Sequence, residues 1–260
     1  MPTPLHRRTM LAGAAALAAG PLLAQGDAPV IAAASDLQFA VEALAAGFAA
    51  QTGQSVRLSL GSTGNMARQI RAGAPFQMFM AADEQFILDL ARDGFTQDEG
   101  SLYGLGRIVL KVPQGSPLEP DGSLEGLRQA LAARRISRFA IANPDHAPYG
   151  MRAREALIHK GLWDAVRPFL VLGENVSQAA QFALSGNAEG GIIALSLALA
   201  PDLARRGAFG LIPADHHQPM WQRMALLRGA GPVATAFFAH VASPEGRAVL
   251  ATYGFALPEE

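Results

Sequence analysis

A short apolar strand running into a small polar turn, and from there into a helix, occurs four times in this chain. The turns are Ala34-Ser35-Asp36, Gly61-Ser62-Thr63-Gly64, His146-Ala147-Pro148-Tyr149-Gly150 and Glu174-Asn175-Val176. Alternation of this kind predicts an α/β fold of helix-covered, mostly parallel sheets. In such sheets ligands sit beyond the carboxyl ends of the strands, where these turns lie. A helix N-terminus also carries unpaired N–H groups and about half a positive charge, which suits an anion. Four such ends, two from each half of the chain, are expected to converge on one small oxyanion without any lysine or arginine.

The periodicity fills in the rest. Residues 29–33 read as a buried strand, and Ser35 with Gln38 as an S-x-x-Q capping box opening a helix with Leu37, Val41, Leu44 and Phe48 on one face. Residues 56–60 and 76–80 are predicted strands, followed by helices that end at Gly73 and Gly94, the second capped by Asp83. Residues 108–112 read as a strand crossing into a second lobe. There the pattern repeats at 139–142, 169–172 and 191–195. Residues 224–227 read as the returning strand, and 233–250 as one terminal helix packed on the first lobe. The expected organisation is lobe one at 28–106 plus 222–260 and lobe two at 107–221. The two crossings form a hinge, with a cleft between the lobes.

The N-terminus reads as an export signal over 1–24: Arg7-Arg8, an apolar run from Met10 and a small residue, Ala24, at the cut. The arginine pair also fits a twin-arginine signal, so both export routes stay open. Absence of cysteine excludes a disulfide framework and thiolate chemistry. A net charge of −1 with no basic block argues against nucleic acid as partner.

Each candidate residue has a plainer reading beside the functional one. Ser35 either caps its own helix or donates to a ligand. Asp36 is expected to offer its backbone N–H, with its carboxylate turned to solvent so that it does not repel an anion. Ser62 and Thr63 place two hydroxyls between glycines that would let the backbone approach a ligand or take positive φ. Pro148 at a helix start leaves Tyr149 as the first free amide, and its phenol is either a donor or packing under the loop. Asn175 with Gln178 caps the fourth helix, which leaves the Val176 amide free. His146, His216 and His217 have no partners at metal-ligand spacing, so no cation site is expected. No G-x-S-x-G elbow is present, and Gly104-Leu105-Gly106 precedes a strand, unlike a dinucleotide fingerprint.

At these turns the chain resembles the periplasmic molybdate-binding proteins of ABC importers, type II periplasmic binding proteins. The likeness runs from Val30 to Leu257. It is carried by A-A-A-S-D-L at 32–37, G-S-T-G-N at 61–65, A-R-Q-I at 67–70, G-A-P-F at 73–76, A-A-D-E at 81–84, N-P-D-H-A-P-Y-G at 143–150, G-E-N-V at 173–176 and Y-G-F at 253–255. The resemblance implies a two-lobed protein that holds molybdate or tungstate in its cleft with uncharged hydroxyls and amides. It implies contacts from Ser35, the Asp36 amide, Ser62, Thr63, Tyr149 and Val176. It further implies a monomeric periplasmic protein, with no cofactor and no enzymatic activity, that delivers its ligand to an ABC importer permease. The chain departs from some members at Ala194, where they carry tyrosine, and at Gln77 and Ala81. Two alternatives stay open: the same scaffold holding sulfate, phosphate or a phosphonate, and an exported hydrolase with Ser35 or Thr63 as nucleophile, for which the sequence nominates no base.

Overall fold

The computed structural model describes residues 28–256; the predicted export signal lies outside them. In chain order the strands are β1 Val30–Ala34, β2 Arg57–Gly61, β3 Phe76–Ala81, β4 Ser101–Gly106, β5 Ile108–Pro113, β6 Phe139–Ala142, β7 Leu170–Gly173, β8 Gly190–Ala194, β9 Gly207–Leu211 and β10 Met220–Leu226. The helices are α1 Gln38–Thr52, α2 Thr63–Arg71, α3 Glu84–Arg92, α4 Glu125–Ala132, α5 Pro148–His159, α6 Trp163–Val166, α7 Val176–Leu184, α8 Leu195–Leu199, α9 Pro201–Ala204, α10 Pro232–Ala242 and α11 Pro244–Thr252.

The strands form two five-stranded sheets, ordered β2-β1-β3-β10-β4 and β7-β6-β8-β5-β9. Each sheet is mixed. In the first, β1 pairs in parallel with β2 and β3, while β10 runs antiparallel to β3 and β4. In the second, β6 pairs in parallel with β7 and β8, while β5 runs antiparallel to β8 and β9. The parallel halves hold β1, β2, β6 and β7, the strands that lead into the four turns. Backbone passes between the sheets twice. Arg107 alone separates β4 from β5, and residues 212–219 link β9 to β10.

Burial explains the strand sequences. Strands covered on both faces are continuous apolar runs. Ile31 to Ala34 and Phe139 to Ala142 are fully buried in this way. One core gathers Leu44, Phe48, Met80, Phe237 and Leu250 around the first sheet, and another gathers Val109, Ile141, Leu157 and Ile193 around the second. A third cluster, with Ile70, Phe79 and Leu90, packs α2 and α3 on the opposite face of the first sheet.

Three local features differ from the sequence reading. Edge strands β4 and β9 carry two glycines each and little β-branching, so they give no strand signal. The expected terminal helix is broken into α10 and α11 at Ser243-Pro244. Proline has no N–H to continue the helix, and it drives the residue before it into an extended conformation. Ser243 has φ −63° and ψ 160°, and its Oγ accepts the Gly246 N–H at 3.1 Å, which starts α11. Finally, Ser35 is not a cap. Residues 35–37 form a 3-10 turn ahead of α1, and Ala34 is its N-cap, with no side-chain hydrogen bond.

Replacing Ser243 by alanine removes the α11 cap while leaving the core intact. Urea denaturation is expected to show a loss of about 1 kcal/mol. An unchanged midpoint would mean that the Ser243–Gly246 bond adds nothing.

Candidate binding site

The four turns meet. Ser35, Asp36, Ser62, Thr63, Tyr149 and Val176 line one cavity between the two sheets, closed further by Ala34, Gly61, Ala82, Ala147 and Pro148. The space is about 180 Å³ including its mouth. That figure counts all space not filled by atoms, the open mouth included, so it is an upper bound that admits only a small polyatomic group. Among the described residues, no lysine or arginine lines it. All six expected residues are buried.

Backbone donors come from helix starts. Thr63 is the first residue of α2, Tyr149 the second of α5 and Val176 the first of α7. Amides in a first turn have no intrahelical acceptor. Asn175 Oδ1 accepts the Gln178 N–H at 3.0 Å, so the fourth helix is capped as expected and its first amide is left over. The Thr63 hydroxyl oxygen accepts the Ala82 N–H at 3.1 Å, which leaves its own hydrogen free to donate.

Several side chains have other employment than the sequence reading gave them. Ser35 and Gln38 do not pair with each other. Both face Ser177 on α7: its N–H reaches Ser35 Oγ at 3.4 Å, and its hydroxyl lies 2.8 Å from Ser35 O and 3.2 Å from Gln38 Oε1. The Asp36 carboxyl does not face solvent. It is 2% exposed, and its Oδ2 accepts from Tyr149 Oη at 3.0 Å and from Gln222 Nε2 at 2.9 Å. Burial lifts it from 3.8 to about 6, although hydrogen bonds from Gln222, Tyr149 and the Asp36 and Leu37 backbone amides act to lower it. The Tyr149 phenol is thus committed to Asp36, and burial together with that carboxylate raises it well above its usual range. The glycines at 61 and 64 do not take positive φ. Gly64 is needed for close approach, since a Cβ there would stand 2.6 Å from His146 O, the acceptor of its own N–H at 2.9 Å.

These contacts join the two lobes. Ser196 on α8 donates to Asp36 O at 2.8 Å, and Arg152 on α5 pairs with Asp83 beside α3 at 2.7 Å, both largely buried. His146 Nδ1 lies 2.9 Å from Ser62 Oγ, and Nε2 lies 3.5 Å from Glu174 Oε2. Glu174 also accepts from Asn65 on α2. This serine–histidine–carboxylate line lacks the fixed geometry of an activated nucleophile. Glu174 is 55% exposed, and 3.5 Å is too long to hold the imidazole in one tautomer. It acts as a clasp across the cleft mouth.

Of the positions where the chain departs from its resemblance, Ala194 is buried outside the cavity lining. Gln77 Oε1 accepts the Gly231 N–H at 2.9 Å, away from the site. Gln222, Ser177, Ser196 and Gly106 were not legible as site residues. A Cβ on Gly106 would stand 2.6 Å from Gln222 Nε2 and 2.7 Å from Tyr149 Oη, so this glycine makes room for the Asp36 cluster. Their partners lie far off in sequence, as with the 186 residues between Gln222 and Asp36, and no local motif marks them.

The family model for bacterial extracellular solute-binding proteins matches residues 29–256. The molybdate-binding protein ModA of Azotobacter vinelandii is 31% identical over 256 residues, covering 97% of this chain and 98% of that protein. ModA of Rhodobacter capsulatus is 31% identical over 254 residues, covering 95% and 97%. The solved structure of the Azotobacter vinelandii periplasmic molybdate-binding protein superposes with a TM-score of 0.79 at 29% identity, covering 89% of this chain and all of that one. The expected fold class and the expectation of a binder rather than an enzyme both hold, and the hydrolase alternative falls. The chain belongs to the bacterial extracellular solute-binding proteins, in the company of the ModA proteins.

Proposed function

We propose that this protein captures molybdate, or its isostere tungstate, in the cavity between its lobes and delivers it to the permease of an ABC importer. One observation carries the reading: a buried cavity sized for a small ion, ringed by helix starts and hydroxyls, with no cationic side chain in its lining. Burying a dianion away from water is unfavourable unless its oxygens are hydrogen-bonded. Hydrogen bonds to a charged group are about twice as strong as neutral ones, and helix starts add favourable dipoles. In this assignment the donors are the hydroxyls of Ser35, Ser62 and Thr63 with the amides of Asp36, Tyr149 and Val176. The molybdate-binding character of the two ModA relatives supports molybdate over sulfate or phosphate. Discrimination then rests on cavity size. The export signal read over 1–24 and the family's extracellular character support a periplasmic location; in this reading the protein is a monomer whose lobes divide at about residues 107 and 221.

The interlobe bonds give closure a physical basis. Opening the cleft breaks the Ser177, Ser196, His146 and Arg152 contacts together, so the closed form is a discrete state that a ligand stabilises. The permease then distinguishes loaded from empty protein by the relative position of the lobes.

Calorimetric titration with a panel of oxyanions tests the assignment. Molybdate and tungstate are expected to bind far more tightly than sulfate or phosphate; equal affinities, or none, would overturn it. Ser35→Ala is the cleaner single-site test. Thr63→Val also strands the Ala82 N–H, whereas Ser35 accepts only a long bond from Ser177. Loss of one hydrogen bond to a charge is expected to weaken molybdate binding by about 1.5–3 kcal/mol. An isotherm identical to the unsubstituted protein's would remove Ser35 from the ligand's surroundings.

A further inference from the structure

Among the described residues that line the cavity, Asp36 is the one with a carboxyl side chain. Its Oδ2 receives two hydrogen bonds from side chains, whereas buried Oδ1 has no well-aligned partner, the backbone amides of Asp36 and Leu37 being the donors near the carboxyl; Gln222 Oε1 is likewise unpartnered. A buried ionised oxygen without a donor is unfavourable. The same oxygen carrying a proton is a donor in search of an acceptor. The oxyanion assigned to this cavity would supply acceptors, and a dianion beside an ionised Asp36 would place three negative charges together with no cation in the lining.

We propose that anion capture is proton-coupled: each dianion enters with one proton, which settles on Asp36 Oδ1 and makes that carboxyl a hydrogen-bond donor to the bound oxyanion. The proton comes from solvent, and no bond within the anion changes. This inference rests on the molybdate reading of the cavity. It makes Asp36 a ligand-contacting residue through its side chain, beyond the backbone amide that the family resemblance implies.

The groups facing Asp36 leave it as the acceptor of that proton. From α5 comes Tyr149, and from β4 comes Tyr103, whose hydroxyl donates to Ala81 O at 3.0 Å. Burial and the Asp36 charge raise both phenols well above their usual range, so both are neutral. From β10 comes the neutral Gln222, while its neighbour Arg223 is turned away to Glu84 at 2.9 Å. Ser196 of α8 and Ser177 of α7 are neutral. His146 and Glu174 are not in the cavity lining; His146 faces Ser62 and Glu174 instead. Asp36 already stands near 6, so in the empty site at neutral pH it is mostly ionised, and a neighbouring dianion raises it further. The complex therefore holds more protons than the free protein, and affinity must fall as pH rises above about 6.

Titration of the protein with sodium molybdate at about pH 7.5, in buffers of different ionisation enthalpy, counts the protons directly. The expected uptake is close to one per anion, with the dissociation constant rising about tenfold per pH unit above neutrality. Molybdate itself remains a dianion there. Asp36→Asn places an amide N–H where the acid proton would sit; it is expected to bind with no uptake and a flat pH profile. Molybdate binding with no proton uptake, or uptake that survives in Asp36→Asn, would overturn the coupling and leave the molybdate assignment standing. Should Asp36→Asn not fold, uptake and pH slope in the unsubstituted protein decide the matter. No molybdate binding at any pH would overturn assignment and coupling together.

Discussion

Water must be replaced on every side of a buried ion, and a site without cations can do this only with many oriented neutral donors. That constraint governs the architecture of this protein. One helix start supplies one or two free amides, so several must face a common point. Parallel strands deliver their following helices to the same edge of a sheet. Two sheets with their parallel halves facing give four such starts, at residues 35, 63, 148 and 176. The small residues that open each turn, among them Ala34, Gly61 and Ala147, let backbone rather than side chain reach the centre.

The same geometry makes the lobes dependent on one another. Neither half encloses the cavity by itself. The bonds that join the halves are short-reach and polar, from Ser177 to Ser35, Ser196 to Asp36 and Gly64 to His146. These three are neutral hydrogen bonds of the kind worth about 0.5–1.5 kcal/mol net, and the largely buried Arg152–Asp83 ion pair joins the halves beside them in the same interface. At its centre the Asp36–Tyr149–Gln222 cluster ties the first turn of one lobe, the third helix start and the returning strand β10 into one hydrogen-bonded unit. Gly106, beside the crossing at Arg107, leaves the room that this unit occupies.

Much of this was legible from sequence, and the limits have a common cause. Strand β6 and the starts of α2, α5 and α7 follow from apolar runs, proline placement and Asx capping, all of which act within a few residues. The gathering of six residues around one cavity follows from strand–helix order alone. Ser35 and Gln38 were misread because S-x-x-Q is a local pattern, and their true partner, Ser177, lies 142 and 139 residues away. Asp36 was placed in solvent for the same reason. A carboxylate near an anion looks repulsive until a phenol and an amide from distant elements are seen to hold it. The edge strands β4 and β9 escaped because glycine-rich edges carry little propensity, and the single terminal helix became two because one proline outweighs a continuous apolar pattern.

The central claim is that neutral dipoles alone surround the anion. Crystals grown with molybdate and measured near the molybdenum absorption edge test it most directly, because the anomalous signal locates the metal without reference to any assumed site. The account predicts a single strong peak inside the cavity, with oxygens within hydrogen-bond reach of the Ser35 and Thr63 hydroxyls and the Tyr149 and Val176 amides. A peak seated on an arginine or lysine side chain, or outside the space between the two sheets, would contradict it.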